Sequence, residues 1–496
     1  MNVVGILIIT YLVISYILGT IISMTIILEN RDPARTVTWL MIFILLPGIG
    51  IILYLIFGRN IRKMKMLRTQ KLANEIREQD LFKDIKKIDH FIELYSNNQK
   101  LDAILESDNK YNSYKKIIKL LMNTGTMPVT SDNEVDIYKD GNEKFTQLLE
   151  DIKQAKESIH LEYFIIKDSE IGRQIKNELI KKSKEGIVIR ILYDDVGCWR
   201  LWFNKKFIND MRSSGIKIEP FIPNKFPIMI GKLNYRNHRK IVVIDGKIGY
   251  TGGINIGDEY IGKKEKFGYW RDTHIRIKGS AVNMIQMTFI VDWYYTTKEI
   301  ISSEQYFPKT DSKKNAMVQI VASGPDSDWE AIHYAYFLAI CQAKEKIYIE
   351  TPYFIPDESL LKALKSAALS GIDVKIIFPK IPDHKIVNSA SYSYFGEILR
   401  AGGRVYLYEK GFIHSKVIII DDKIASTGSA NMDLRSFMLN FEMNAFIYDK
   451  DIINKMDMDF YDDIKNSTEL KIEDYEARSI DKKIIESINR LFSPIL

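Results

Sequence analysis

HRKIVVIDGKIGYTGGIN (residues 238–255) and HSKVIIIDDKIASTGSAN (residues 414–431) are two copies of one frame, H-x-K-x4-D-x6-G-[GS]-x-N. The runs IVVI and VIII are β-branched and make each copy a strand. Residues two apart on a strand share a face, so His238 stands beside Lys240 and His414 beside Lys416. The aspartate follows the histidine by seven residues, an odd number, and falls in the hairpin signals IDGK and IDDK. Asp245 and Asp421 complete the frame, and their position predicts that they fix the turn rather than touch a ligand. After the return strand come Gly253 and Asn255 in one copy, Ser429 and Asn431 in the other. Glycine lets backbone approach a ligand closely, and asparagine offers an amide donor.

Working outward, a second repeat precedes each frame: AKESIHLEYFI (155–165) and AKEKIYIETPYFI (343–355), alike except for an inserted Thr-Pro. Both read as strands. Each is followed by a helical pattern ending in glycine, IGRQIKNELIKKSKEG (171–186) and LLKALKSAALSG (360–371), then by the strands IVIRILYDD and IDVKIIFPK. Strand, helix and strand make a βαβ unit. The expected fold class is therefore α/β, as two tandem copies of one domain packed as a pseudo-dimer, at 126–300 and 315–470. A chain of 496 residues is too long for one ordinary core, which agrees.

The N-terminus differs in kind. Residues 3–28 carry no charge and would span roughly 39 Å as a helix, against a bilayer core of about 30 Å. Residues 37–57 form a second uncharged run, with Pro47 and Gly48 as a possible kink. Residues 1–58 are thus expected to be a two-helix transmembrane hairpin. Arg59, Arg62, Lys63, Lys65, Arg68 and Lys71 follow it, which places both ends of the hairpin and all later residues in the cytoplasm. Residues 59–125 read as a basic helical connector. In the tail, 471–496, Ile480, Ile484, Ile488 and Phe492 share one helical face that is expected to pack on the domain. CWRLWFNKKF (198–207) mixes aromatic and basic side chains, as an interfacial lipid contact would, but Trp199, Trp202, Phe203 and Phe207 fall at helical spacing, which predicts a buried face.

Bulk composition excludes little. At 46% hydrophobic and 27% charged the chain is not disordered, and its net charge of +6 suits anionic partners without choosing among them. Cys198 and Cys341 stand alone, far from any zinc or disulfide spacing.

The paired frame carries the chemistry. A phosphodiester transition state places charge on non-bridging oxygens, which two lysines and two asparagines could stabilise without a metal. Imidazole is a competent nucleophile. Two histidines could divide the labour, one forming a phosphohistidine while the other protonates the leaving alcohol and deprotonates the incoming one. A single copy supplies only one of these roles.

The two H-x-K-x4-D frames resemble the HKD motif of the phospholipase D superfamily. From the N-terminal spans to about residue 470, including WRDTHIRIKG (270–279) and SGPDSDW (323–329), the chain resembles the bacterial cardiolipin synthases of that superfamily. The resemblance implies one active site between the halves, without metal or other cofactor. It implies condensation of two phosphatidylglycerol molecules to cardiolipin and glycerol, at the bacterial cell membrane. The catalytic set is then His238, Lys240, Asp245, His414, Lys416 and Asp421, with Gly253, Asn255, Ser429 and Asn431 on the phosphate. It further implies carboxylates that orient the histidines, for which Asp272 and Glu442 are the positional matches. It assigns His238 as nucleophile and His414 as acid/base. Gly253 stands where many superfamily members have serine. A phospholipase D hydrolase giving phosphatidic acid, or a transphosphatidylase with another acceptor, is the alternative; nucleic acid is not an expected partner, since it would not require membrane spans.

Overall fold

Alternating aliphatic residues make Ser158–Tyr163 and Lys346–Glu350 strands, and each pairs in parallel with the strand after its helix, Val188–Asp194 or Asp373–Pro379. The intervening helices, Glu170–Lys184 and Glu358–Leu369, begin at Ser169 and Asp357, whose side chains cap the first-turn amides. They stop at Gly186 and Gly371, both at positive φ. The two βαβ units are those expected from the repeat. The computed structural model describes residues 3–28, 33–54, 114–124, 128–223, 234–309, 312 and 314–493. Most of the connector therefore lies outside the described residues.

Among these residues each half contributes seven strands in the same order. The first half runs Lys217–Phe221, Val188–Asp194, Ser158–Tyr163, Lys240–Ile244, Ile248–Gly252, His274–Lys278 and Val129–Tyr138. The second runs Arg404–Tyr408, Asp373–Pro379, Lys346–Glu350, Val417–Ile420, Ile424–Gly428, Glu442–Ile447 and Ala316–Ser323, with Ser467–Glu469 added at its outer edge. Val129–Tyr138 joins the two: its end pairs with His274–Lys278 and its beginning with Ala316–Ser323, with a register shift between Thr130 and Asn133.

The period of two along the motif strands sorts their side chains into separate cores. Ile241, Val243, Val417 and Ile419 share one core with the helices Ala281–Thr297 and Lys450–Lys465. Val242 and Ile244 face a second core, with the helix Glu170–Lys184. Ile418 and Ile420 face a third, with Glu358–Leu369. The layers are helix, sheet, helix, sheet, helix. Ala281–Thr297 is buried along most of its length on every side, as a helix between two sheets must be.

The N-terminal segment is a separate unit. Val3–Leu28 is one helix, and Val4–Leu28 is long and apolar enough to cross a membrane. The second apolar run is not one helix. It breaks between Pro33–Leu45 and Ile49–Leu53, where Pro47 removes a backbone donor and Gly48 takes φ of 82°. Ile26, Phe43 and Tyr54 pack together across these pieces.

The tail reverses its expectation. In the helix Ile480–Leu491, Ile480, Ile484 and Ile488 are exposed, as is Phe492 beyond it. The polar side does the holding instead: Arg490 reaches Glu397 at 2.8 Å and covers the Tyr394 ring, while Glu486 binds Arg478.

Candidate active site

The two histidines are delivered by backbone pairing between the halves. Gly411–Ile413 pairs in parallel with Tyr269–Arg271, and the His414 amide donates to the Arg271 carbonyl at 2.7 Å. In the other copy Asn237 bridges Phe441 in parallel, and the His238 amide donates to the Phe441 carbonyl at 2.9 Å. The residue after each accepting carbonyl is a carboxylate. Each histidine therefore meets the carboxylate of the opposite half. His238 Nδ1 lies 3.0 Å from both oxygens of Glu442, and His414 Nδ1 lies 2.8 Å from Asp272 Oδ2. That contact holds the Nδ1–H tautomer and leaves Nε2 as the lone-pair nitrogen.

Electrostatics agree with neutral imidazoles on anionic carboxylates. Burial pushes His238 down to about 4, with Glu442 opposing the shift, and lowers His414 likewise. Burial alone would raise Glu442 and Asp272, yet the facing histidines and lysines hold both below the usual carboxylate range. Lys240 and Lys416 are buried and donate to the carbonyls of His238 and His414. Desolvation lowers them to about 7 and about 8. The positive charge of Lys416 is also felt at His238 and at Lys240, so the two frames converge on one place. Phe164 packs edge-on to the His238 ring at 4.9 Å, and Trp270 lies 5.3 Å from that of His414.

Four of the roles implied by the resemblance change, and for Asp245 and Asp421 the turn-holding role read from the strand period is the one that fits. Asp245 and Asp421 stand at the far end of their strands from the histidines, seven residues or roughly 23 Å of extended backbone away. The Asp245 carboxylate accepts the amides of Lys156, Glu157 and Ser158, and that of Asp421 the amides of Lys344, Glu345 and Lys346, all at 2.8–3.0 Å. Both aspartates sit at positive φ, which Asp tolerates better than most residues. They clamp the hairpin onto the start of the AKES and AKEK strands, so counting them as catalytic does not fit. Ser429 is not turned to a phosphate either: its hydroxyl donates to Glu442, and Asn440 donates to the same carboxylate at 3.1 Å. At Gly253 the amide is spent on the Thr273 carbonyl, and a Cβ would collide with the Asp272 carboxylate. The shorter aspartate is thus matched by glycine, and the longer glutamate by serine. Asn255 binds the Ile165 amide and the Tyr260 hydroxyl, whereas Asn431 keeps a buried side-chain oxygen without a partner.

Residues that the motif does not contain lock the halves. Arg271 lies 2.7 Å from Asp463 and 3.6 Å from Glu350; Arg239 pairs with Asp292 and donates to the Glu442 and Ser323 carbonyls. Burial raises Glu350 to about 8 despite Arg271. Removing one member of such a cluster strands a buried charge, at a cost of about 3–5 kcal/mol. Sequence offered one hint, the matching glutamates Glu162 and Glu350 in the repeated strand.

Comparison with known proteins agrees with this architecture. The profile described as "Cardiolipin synthase, PLD-like domain" matches residues 148–268 and 336–464, and "Phospholipase_D-nuclease N-terminal" matches 12–59. Cardiolipin synthase 2 of Bacillus anthracis is 44% identical over 478 residues, 96% of this chain and 90% of that one. The cardiolipin synthase of Staphylococcus aureus strain Mu50 is 44% identical over 485 residues, 97% and 96%. The phosphatidylserine synthase of Haemophilus influenzae shares the fold, with a TM-score of 0.58 and 17% identity over 77% of this chain and 100% of that one. With two tandem domains of this kind and near-full-length identity to curated members, the chain belongs to the cardiolipin synthase family of phospholipase D-like fold.

Proposed function

We propose that this chain is a cardiolipin synthase that joins two phosphatidylglycerol molecules with release of glycerol. The observation that carries the reading is the crossed pairing, His238 on Glu442 and His414 on Asp272, which makes one site from two half-sites. Nε2 of His238 attacks the phosphorus of the first phosphatidylglycerol, and the bond to the glycerol oxygen breaks. His414 enters this step as the imidazolium that Asp272 and the bound anionic phosphodiester favour, gives its Nε2 proton to that oxygen, and so becomes neutral as glycerol leaves a phosphatidyl-histidine. A primary hydroxyl of the second phosphatidylglycerol then gives its proton to His414 and attacks phosphorus, which frees His238 and cardiolipin. Lys240, Lys416 and the amides of Asn255 and Asn431 meet the non-bridging oxygens.

The domains responsible are 126–300 and 315–470. The N-terminal hairpin anchors them in the bacterial membrane, with both apolar runs in the bilayer and the catalytic part in the cytoplasm. Packing of Ile26 with Phe43 and Tyr54 supports the hairpin, and the basic residues from Arg59 to Lys71 support the orientation.

Purified full-length protein given glycerol-labelled phosphatidylglycerol is expected to release labelled glycerol and accumulate cardiolipin in equal amounts. Phosphatidic acid as the sole lipid product would make the enzyme a hydrolase instead. The same assay has a predicted pH course. The lysines must be cationic to stabilise the transition state, and their lowered pKa values of about 7 and 8 mean that protons leave as pH rises through that range. In kcat/KM, which reports the free enzyme, activity falls as pH rises, first as His414, whose pKa burial lowers, loses its proton and again above about pH 7–8 as the lysines do, while His238 stays neutral until pH approaches about 4.

A further inference from the structure

Of the four aromatic residues whose spacing suggested a buried face, only Phe207 is buried; the turn after the strand Val188–Asp194 exposes the other three. Trp199–Trp202 forms a single 3-10 turn with only Leu201 buried. Trp199, Trp202 and Phe203 are 49%, 41% and 81% exposed, and Arg200, Lys205 and Lys206 beside them are exposed as well. The rings are held rather than loose. The Trp202 indole donates to Asp195 at 2.7 Å, and Trp199 packs edge-on to Phe203 with ring centroids 6.3 Å apart. Asp194 connects this turn to the active site, accepting the Gly197 amide at 2.7 Å and the Asn237 amide, next to His238, at 2.9 Å.

The pseudo-symmetric loop in the other half has the same character. After the strand Asp373–Pro379, Ile381, Lys385 and Ile386 are exposed. Asp383 of this loop binds the Tyr353 hydroxyl, and its charge is felt at His414 and Lys416. The loops follow the equivalent strands of the two halves, Val188–Asp194 and Asp373–Pro379, and the contacts of Asp194 and Asp383 tie each to one motif histidine, so apolar and basic groups stand beside both histidines.

We propose that this two-sided rim docks on the surface of an anionic phospholipid bilayer, with Trp199, Trp202 and Phe203 entering the interface as the main anchor. Amphipathic aromatic rings ringed by cations match the acyl–headgroup boundary of such a membrane, and exposed apolar groups held in place mark contact surfaces. Charge complementarity favours lipid phosphates over a neutral or basic protein partner. The inference rests on the proposed lipid substrate: a cleft docked in this way receives the headgroup without removing the acyl chains from the bilayer.

The test uses the full chain with W199A/W202A/F203A. Reconstituted in phosphatidylglycerol vesicles, the variant is expected to lose at least tenfold in kcat/KM. In detergent with dihexanoyl phosphatidylglycerol it stays within twofold of wild type. Wild-type rates on vesicles, or an equal loss on both substrates, would overturn the docking surface. A second measurement does not depend on turnover. Vesicles with brominated acyl chains are expected to quench tryptophan fluorescence more in the wild type than in W199F/W202F, and identical quenching overturns the proposal. An unmodified chain that makes no cardiolipin on either substrate would instead remove the functional reading, leaving the quenching result to stand alone.

Discussion

Turnover falls by at least about 10^4-fold when either His238 or His414 is replaced by Ala, and the double variant is no worse than either single one. The size follows from removing a nucleophile or its acid/base partner, which act as a unit, so their effects do not add. His238→Ala leaves no atom to receive the phosphatidyl group. His414→Ala leaves the glycerol oxygen to depart as an alkoxide. Each imidazole is anchored by its own half and oriented by the other, so neither half can substitute for its missing counterpart. The check is steady-state cardiolipin formation by each purified variant. Activity within tenfold of wild type in either one contradicts the division of labour.

Glu442→Gln is the second large effect, with kcat expected to fall about 10^3–10^4-fold and KM little changed. The carboxylate accepts His238 Nδ1–H together with the Ser429 hydroxyl and the Asn440 amide. An amide there loses the charge that stabilises an imidazolium, and it can turn a donor toward Nδ1, which favours the wrong tautomer. Asp272→Asn acts in the same way on His414, where Thr273 supplies the carboxylate's second donor. Saturation kinetics separate this from a binding defect, which would raise KM and leave kcat alone.

Much of this site was open to reading from local pattern. The strand period put His238 with Lys240 and His414 with Lys416, and it set Asp245 and Asp421 aside in the turn, because a period of two depends only on adjacent residues. Asp272 and Glu442 were found by position after each motif. Their crossing to the opposite histidine was not, because it depends on pairing between Asn237 and Phe441 and between Ile413 and Arg271, which brings together residues 204 and 142 positions apart and leaves no local signal. Ser429 and Gly253 were misread for the same reason: what each faces is a carboxylate brought there by another strand. Trp199, Trp202 and Phe203 had the spacing of a core helix, but Gly197 and the Asp194 cap set a tight turn at the surface instead. In the second apolar run, Pro47 signalled a kink, and with Gly48 it breaks the helix outright.

The central claim is one site, one histidine nucleophile and one covalent intermediate per chain. Rapid quench of the full-length enzyme with phosphatidylglycerol labelled at phosphorus measures it directly. Acid-labile label is expected to rise to one phosphate per chain, located on His238 and absent from His238→Ala. Two phosphates per chain, divided between His238 and His414, would mean two independent sites and would contradict it.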